Sequence, residues 1–347
     1  MMFKPHASLV KAAVACALGA MAGTAFAGLN AVNIWKGNVG LSVDGVGSNF
    51  AAVGNVQAQI PVGATILQAY LYSAGTPFPF YPDSPNTLAA YNGSGISLAG
   101  NAIRNFDTLV GAISTPRPDI GRWFTARADV TNLVRSLTAG AAVSNFSWAV
   151  TEGALNTRID GEVLAIVYSL PTLVKGSVVL LDGGQDTGGE TTNVSFGAPI
   201  GDPNAAGFVT QLGLGISFSC CNQESTVKIN GATLTTHAGN NDDGDSGAGT
   251  DGSLITVGGL GDTPVNNPAS YADDHELYNL APLLKKGDTG FTIFTQNATS
   301  DDNIFFASLY STEDLAVIPG VPEPTTCALM LAGLGVIGFT ARRRSRR

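Results

Sequence analysis

The run NNDDGDSGAGTDG (Asn240–Gly252) places four carboxylates, Asp242, Asp243, Asp245 and Asp251, on one glycine-rich stretch. Hard oxygen ligands on a loop able to wrap an ion suit Ca²⁺. The run is not an EF-hand. Counted from Asn241, Ser246 stands where that loop needs glycine and Gly252 where it needs glutamate. A solvated hairpin loop collects Gly, Asn and Asp for turn reasons alone, so both readings stand. Asp273-Asp274-His275-Glu276 reads instead as the capped start of a short helix, its acids complementing the macrodipole. Asp160 with Glu162, and Asp182 with Asp186, have the residue types of a glycosidase carboxylate pair. Acidic turns between strands are commonplace, however, and separation along a chain does not set separation in space.

Other chemistry is thinner. Gly244-Asp245-Ser246-Gly247 is the tetrapeptide around the nucleophile of trypsin-like proteases. That triad needs a histidine and an aspartate far upstream, whereas the nearest histidine is His237. Gly258–Asp262 is a lone GGLGD, most simply a turn, because calcium β-rolls need tandem copies. No Walker loop or dinucleotide fingerprint occurs. Cys220-Cys221 is the one cysteine pair of the body; it suits a vicinal disulfide in an oxidising compartment, with free thiols, a soft metal or pairing between molecules as alternatives. TPFPFYPDSP (Thr76–Pro85) is stiffened by proline. It either displays Phe78, Phe80 and Tyr81 as a ligand loop or folds back as a lid.

The elements that must position these groups are mostly strands. Period-two runs bounded by Gly, Pro and Asn cover Ala64–Gly75, Asn145–Gly153, Glu162–Leu170, Gly176–Gly184, Ser225–Gly231, Thr289–Asn297 and Asn303–Thr312. Helical spacing is confined to Asp129–Leu137, with Asp129 as N-cap, and Glu276–Gly287, which Pro282 limits to a short or broken turn. Each of these is followed by a strand, an acidic turn and a buried strand ending Tyr-Ser, at Tyr168-Ser169 and again at Tyr310-Ser311. The order implies an internal duplication. The expectation is an all-β chain of two antiparallel, jelly-roll-like β-sandwich domains, residues 28–172 and 173–319. The glycine-rich body is loosely similar to β-sandwich domains of bacterial surface and matrix proteins.

The ends are addresses. Residues 1–27 have Lys4 and Lys11, an apolar stretch from Ala12 to Ala22, and Ala25-Phe26-Ala27 before Gly28, the pattern of a secretory signal peptide. At the other end, seventeen uncharged residues (Thr325–Ala341) precede Arg342, Arg343, Arg344, Arg346 and Arg347. That length is the lower limit for a transmembrane helix, and the arginines would stay cytoplasmic. With Pro322-Glu323-Pro324 in front, residues 320–347 resemble the PEP-CTERM sorting signal. The resemblance implies recognition by an exosortase-type membrane protease, transient tethering in the inner membrane, and release to the cell surface or extracellular matrix of a Gram-negative, exopolysaccharide-making bacterium.

Charge narrows the partners. Charged residues are only 13% of the chain. Without the two terminal segments, 11 basic residues face 26 acidic ones, a net charge of −15. Such a body repels phosphate backbones, which argues against nucleic acid. Extracellular polysaccharide and cations remain compatible. The expected function is structural or adhesive and non-enzymatic, with Ca²⁺ as the one cofactor candidate. The alternative is an exported carbohydrate-binding or polysaccharide-active protein.

Overall fold

The computed structural model describes residues 28–47, 53–75, 87–111, 124–155, 159–184, 188–219, 222–240, 243, 254–297 and 302–318. All belong to one compact unit, Ala27–Gly320. Residues 1–27, expected to be a signal peptide, the sorting tail with its arginines, the 76–85 loop and Cys220-Cys221 lie outside the described residues.

The chain opens with β1 (Asn30–Gly37), β2 (Val39–Val46), β3 (Val53–Gln59) and β4 (Thr65–Gly75). A short helix α1 (Leu88–Gly93) precedes β5 (Ser97–Leu98), β6 (Asn101–Ala102), β7 (Phe106–Gly111) and β8 (Phe124–Asp129). Helix α2 (Thr131–Thr138), β9 (Asn145–Thr151) and β10 (Gly161–Ser169) follow. The second half has β11 (Gly176–Asp182), β12 (Glu190–Phe196), β13 (Thr210–Ser217), β14 (Ser225–Ile229) and β15 (Ala232–Ala238). It ends with β16 (Ile255–Val257), β17 (Leu277–Asn279), β18 (Gly290–Gln296), β19 (Asn303–Ser311) and β20 (Leu315–Ile318).

Four antiparallel sheets result: β3-β9-β5-β6, β2-β10-β4-β8-β7, β1-β11-β19-β13-β16 with β17 also on β13, and β15-β14-β18-β12-β20. Three apolar cores stack them in that order. The first, with Leu71, Leu164, Trp148 and Val150, joins the first two sheets. The third sheet packs on the fourth through Leu181, Leu214, Val194 and Ile293. Between the two sandwiches, Val43, Tyr72, Val163 and Val167 meet Val178, Leu180, Phe305 and Phe306. This burial on both faces explains the sequence patterns. Strand β9, in an outer sheet, alternates, with Trp148 and Val150 inward and Ser147 and Ala149 outward. Strand β10, in an inner sheet, is buried from Gly161 to Tyr168 and reads as an unbroken apolar run.

The two halves have one topology. Removing β1, β7 and β20, the path β2-β10-β4-β8 matches β11-β19-β13-β16/β17, and β3-β9-β5-β6 matches β12-β18-β14-β15. Strands β9 and β18 are both seven residues long, and β10 and β19 both nine, so Tyr168-Ser169 corresponds in position to Tyr310-Ser311. The repeated corner is also shared. Asp129 Oδ1 accepts the Thr131 N–H at 2.8 Å, and Asn279 Oδ1 accepts the Ala281 N–H at 3.1 Å. The first half is not closed on itself, since β1 pairs along β11 of the second sandwich.

Two helical expectations are corrected. Glu276–Gly287 is not a helix: Leu277–Asn279 pairs with β13, and only Ala281–Leu283 forms a 3₁₀ turn around Pro282, which has no N–H to continue a helix. Helix α1 was not expected; the Thr87 hydroxyl caps it by accepting the Ala90 N–H at 3.2 Å.

Candidate functional site

At the corner where β4, β6 and α2 meet, a cleft of about 700 Å³ opens on the first sandwich. Its polar lining comes from Gln68, Asn101, Asn105, Asp129, Asn132 and Arg135, with Leu67, Ala102 and Leu133 as apolar floor. Strand pairing brings these distant segments together. Tyr70 of β4 is opposite Asp129 of β8, and α2 starts two residues beyond Asp129.

The side chains are held in one orientation. Asn101 Nδ2 donates to Ala99 O at 2.9 Å, and Asn105 Nδ2 donates to Asp129 O at 2.7 Å. Gln68 Nε2 donates to the Thr131 hydroxyl at 2.9 Å. One hydrogen bond from each amide nitrogen fixes the side chain and leaves the amide oxygen as an acceptor. Burial raises the Asp129 pKa, but hydrogen bonds from Thr131 and Gln68 and the nearby Arg135 charge outweigh it. The group therefore lies below its ordinary value and is ionised at neutral pH. The Arg135 guanidinium is itself committed to Ile66 O, through Nε at 3.1 Å and Nη2 at 2.9 Å. The cleft is thus rich in acceptors, has one carboxylate and no aromatic side chain in its lining.

Of the residues named from the sequence, Asp129, expected only as a helix N-cap, lines it; none of the candidate site residues does. Of the four aspartates in the Asn240–Gly252 run, Asp243 alone is described. Its carboxylate accepts the Val257 N–H of β16, and its carbonyl accepts the Gly47 N–H at 2.7 Å, so it fastens this run to the sandwich edge. Because Asp243 has that structural task, Asp243→Ala should cost about 1–3 kcal/mol with or without calcium. Calcium binding by the run is tested by Asp242→Asn with Asp245→Asn and Asp251→Asn, read as loss of a calcium-dependent rise in Tm. Among the described residues, no group of three or more Asp, Glu, His or Cys is arranged to hold a metal ion.

The 273–276 acids do not cap a helix. Asp274 and Glu276 are fully buried acceptors. Asp274 takes the hydroxyls of Thr235 and Tyr278, the latter at 2.7 Å; Glu276 takes the Gly239 N–H at 2.7 Å and the Thr256 hydroxyl. Gly258–Asp262 is a turn, its Gly259 N–H donated to Asp262 Oδ2 at 2.8 Å. Asp182 is ion-paired to Arg127, and Asp160 and Glu162 lie in the interior, about 2% and 1% exposed, away from the cleft. Asp186, Ser246, Phe78, Phe80 and Tyr81 lie outside the described residues.

Asp129 apart, the polar residues that build the cleft carried no sequence signal. Asn and Gln at strand ends are ordinary turn residues until the fold gathers them.

No curated protein matches the chain. Residues 320–345 match the PEP-CTERM protein-sorting motif, which marks the chain as exported through a membrane-anchored intermediate to the cell surface and processed by an exosortase, a membrane protease.

Proposed function

We propose that the released body is a non-enzymatic component of the cell surface or exopolysaccharide matrix of a Gram-negative bacterium, and that the β4/β6/α2 cleft binds a neutral polysaccharide. Residues 1–27 serve as its signal peptide. The carrying observation is the amide-rich lining: Gln68, Asn101 and Asn105 are each fixed by a hydrogen bond from the amide nitrogen, and their amide groups suit a ligand rich in hydroxyl groups. The acidic body and the ionised Asp129 disfavour uronic or phosphorylated polymers. Glycoside hydrolysis uses two carboxyl groups flanking one bond, and the cleft supplies one. That favours binding over cleavage.

The test is affinity electrophoresis of the released body in gels containing a neutral glucan or a uronic-acid polymer. Retardation by the neutral polymer alone is expected, with affinity reduced about tenfold by Asn101→Ala with Asn132→Ala, the loss of one or two hydrogen bonds. Equal retardation of the double variant would remove the cleft from the account. New reducing ends appearing with time would establish the polysaccharide-active alternative.

A further inference from the structure

The small-residue pattern Ala25-Phe26-Ala27 places the cut that ends the signal segment just before Gly28. Chain termini are ordinarily loose unless something ties them down. Gly28 is tied down. It is buried, its N–H donates to Gly184 O at 3.1 Å, and its carbonyl accepts the Asn30 side-chain amide at 2.8 Å. Leu29 follows it into the core of the second sandwich. The Leu29 N–H donates to Glu190 Oε1 at 3.0 Å, at the start of β12.

The same carboxylate sets the space around Gly28. A Cβ on Gly28 would stand 2.8 Å from Glu190 Oε2 and 3.2 Å from Oε1, and a Cβ on Gly183 would stand 2.1 Å from Gly28 O. Gly28 also has φ +129°, a conformation that favours glycine. The body therefore demands glycine at this position, whereas the cleavage pattern asks for small residues only before the cut, at Ala25 and Ala27. N and Cβ hang from one Cα about 2.5 Å apart, so the Gly28 nitrogen lies within about 5 Å of Glu190 Oε2. A carboxylate at that separation favours a positive charge on the nitrogen. Strand β1 has need of such an anchor. It pairs on one side only, with β11, and none of its residues is fully buried. Near its far end Lys36 pairs with Asp314, but both side chains are well exposed, which makes that pair weak.

We propose, resting on the reading of residues 1–27 as a signal peptide, that their removal completes the fold: the new α-ammonium of Gly28 is held by Glu190 as an ion pair that clamps β1 to the second sandwich. The step is hydrolysis of the Ala27–Gly28 peptide bond by a signal-segment protease. Water supplies the oxygen that makes Ala27 a carboxylate, and the Gly28 nitrogen leaves as an amine that carries the released proton at neutral pH. Before the cut, this nitrogen is an uncharged amide whose single proton is donated to Gly184 O. After it, the nitrogen keeps that bond and gains two further protons and a full positive charge beside Glu190. Val32 and Trp35 of β1 pack on the core between the two sandwiches, so the clamp also secures that join. The contact is formed only once the chain has been exported and cut.

Two measurements on the released body test this. Intact mass and N-terminal sequencing give its first residue; a start other than Gly28 would overturn the signal-peptide boundary, and the clamp with it. With Gly28 first, the clamp alone is at stake, and it is read from the rate at which a succinimidyl ester acetylates the α-amine at neutral pH, since only the unprotonated amine reacts. The wild-type terminus should react about tenfold or more slower than a free Gly-Leu-Asn peptide, the effect of one pKa unit or more of ion pairing. Glu190→Gln keeps an oxygen for the Leu29 N–H and removes the charge, and should raise the rate by about tenfold. A terminus that is merely buried would stay slow in that variant, which would overturn the proposal, as would a wild-type terminus as reactive as the peptide. Should Glu190→Gln fail to fold, the wild type labelled in about 1 M sodium chloride decides: screening should speed the reaction while Tm holds, and an unchanged rate would overturn the ion pair.

Discussion

Replacing Arg127 by alanine is expected to destabilise the body by about 3–5 kcal/mol, the usual result of leaving one partner of a buried ion pair uncompensated. Arg127 lies on β8 and Asp182 on β11, so the pair ties the first sandwich to the second across the central core. Both side chains are largely buried, at 17% and 10% exposure. The guanidinium is further held by the Thr108 hydroxyl at 2.9 Å and lies 5.1 Å from the Tyr70 ring centre. Next to it, Tyr72 packs on Phe306 with ring centres 5.1 Å apart. Burial raises the Asp182 pKa, opposed by Arg127. Removing the cation therefore leaves an acid that must take up a proton or draw water into the interface. Urea unfolding should show the loss, and Tm should fall by roughly 10 °C. The double variant Arg127→Met with Asp182→Leu should recover most of it, because paired replacement leaves no orphan charge. An equally large loss in the double variant would mean that packing of the Arg127 stem, not charge, carries the effect.

Glu323→Ala is expected to hold the body in the membrane fraction, with release falling to background. Glu323 is the centre of the Pro322-Glu323-Pro324 signature within the matched 320–345 segment. Substituting Arg342, Arg343, Arg344, Arg346 and Arg347 together by serine should act earlier, because the positive charges hold the tail on the cytoplasmic side. Fractionation of cells followed by immunodetection of the body separates the two: membrane-held full-length chain for Glu323→Ala, and full-length chain outside the membrane for the arginine variant. Release of Glu323→Ala at the wild-type rate would remove this residue from the recognition step.

What could be read from residues alone was whatever is written in neighbouring positions. The sorting tail is contiguous, so its content and order sufficed to identify it. Alternation over a few residues reports that one face is buried, and strands such as 145–151 and 290–296 were legible for that reason. The likeness of the two halves was legible because their corresponding strands keep the same order and the same Tyr-Ser ends. Helix α1 was missed because one turn capped by Thr87 is too short to establish a period.

Sites were a different matter. Gln68, Asn101, Asn105 and Asp129 share a cleft only because β4 pairs with β8 and the β5–β6 hairpin is placed beside α2. Asp274 and Glu276 had the composition of a helix cap, and became buried acceptors once β17 paired with β13. Asp160 and Glu162 had the composition of a solvated turn, yet their strand sits in an inner sheet, covered on both faces. Hydrophobic periodicity is a property of adjacent residues and survives in the linear chain. Burial, ion pairing and the convergence of polar groups depend on which distant strands become neighbours and in what register, and a shift of one residue would turn each side chain to the opposite face.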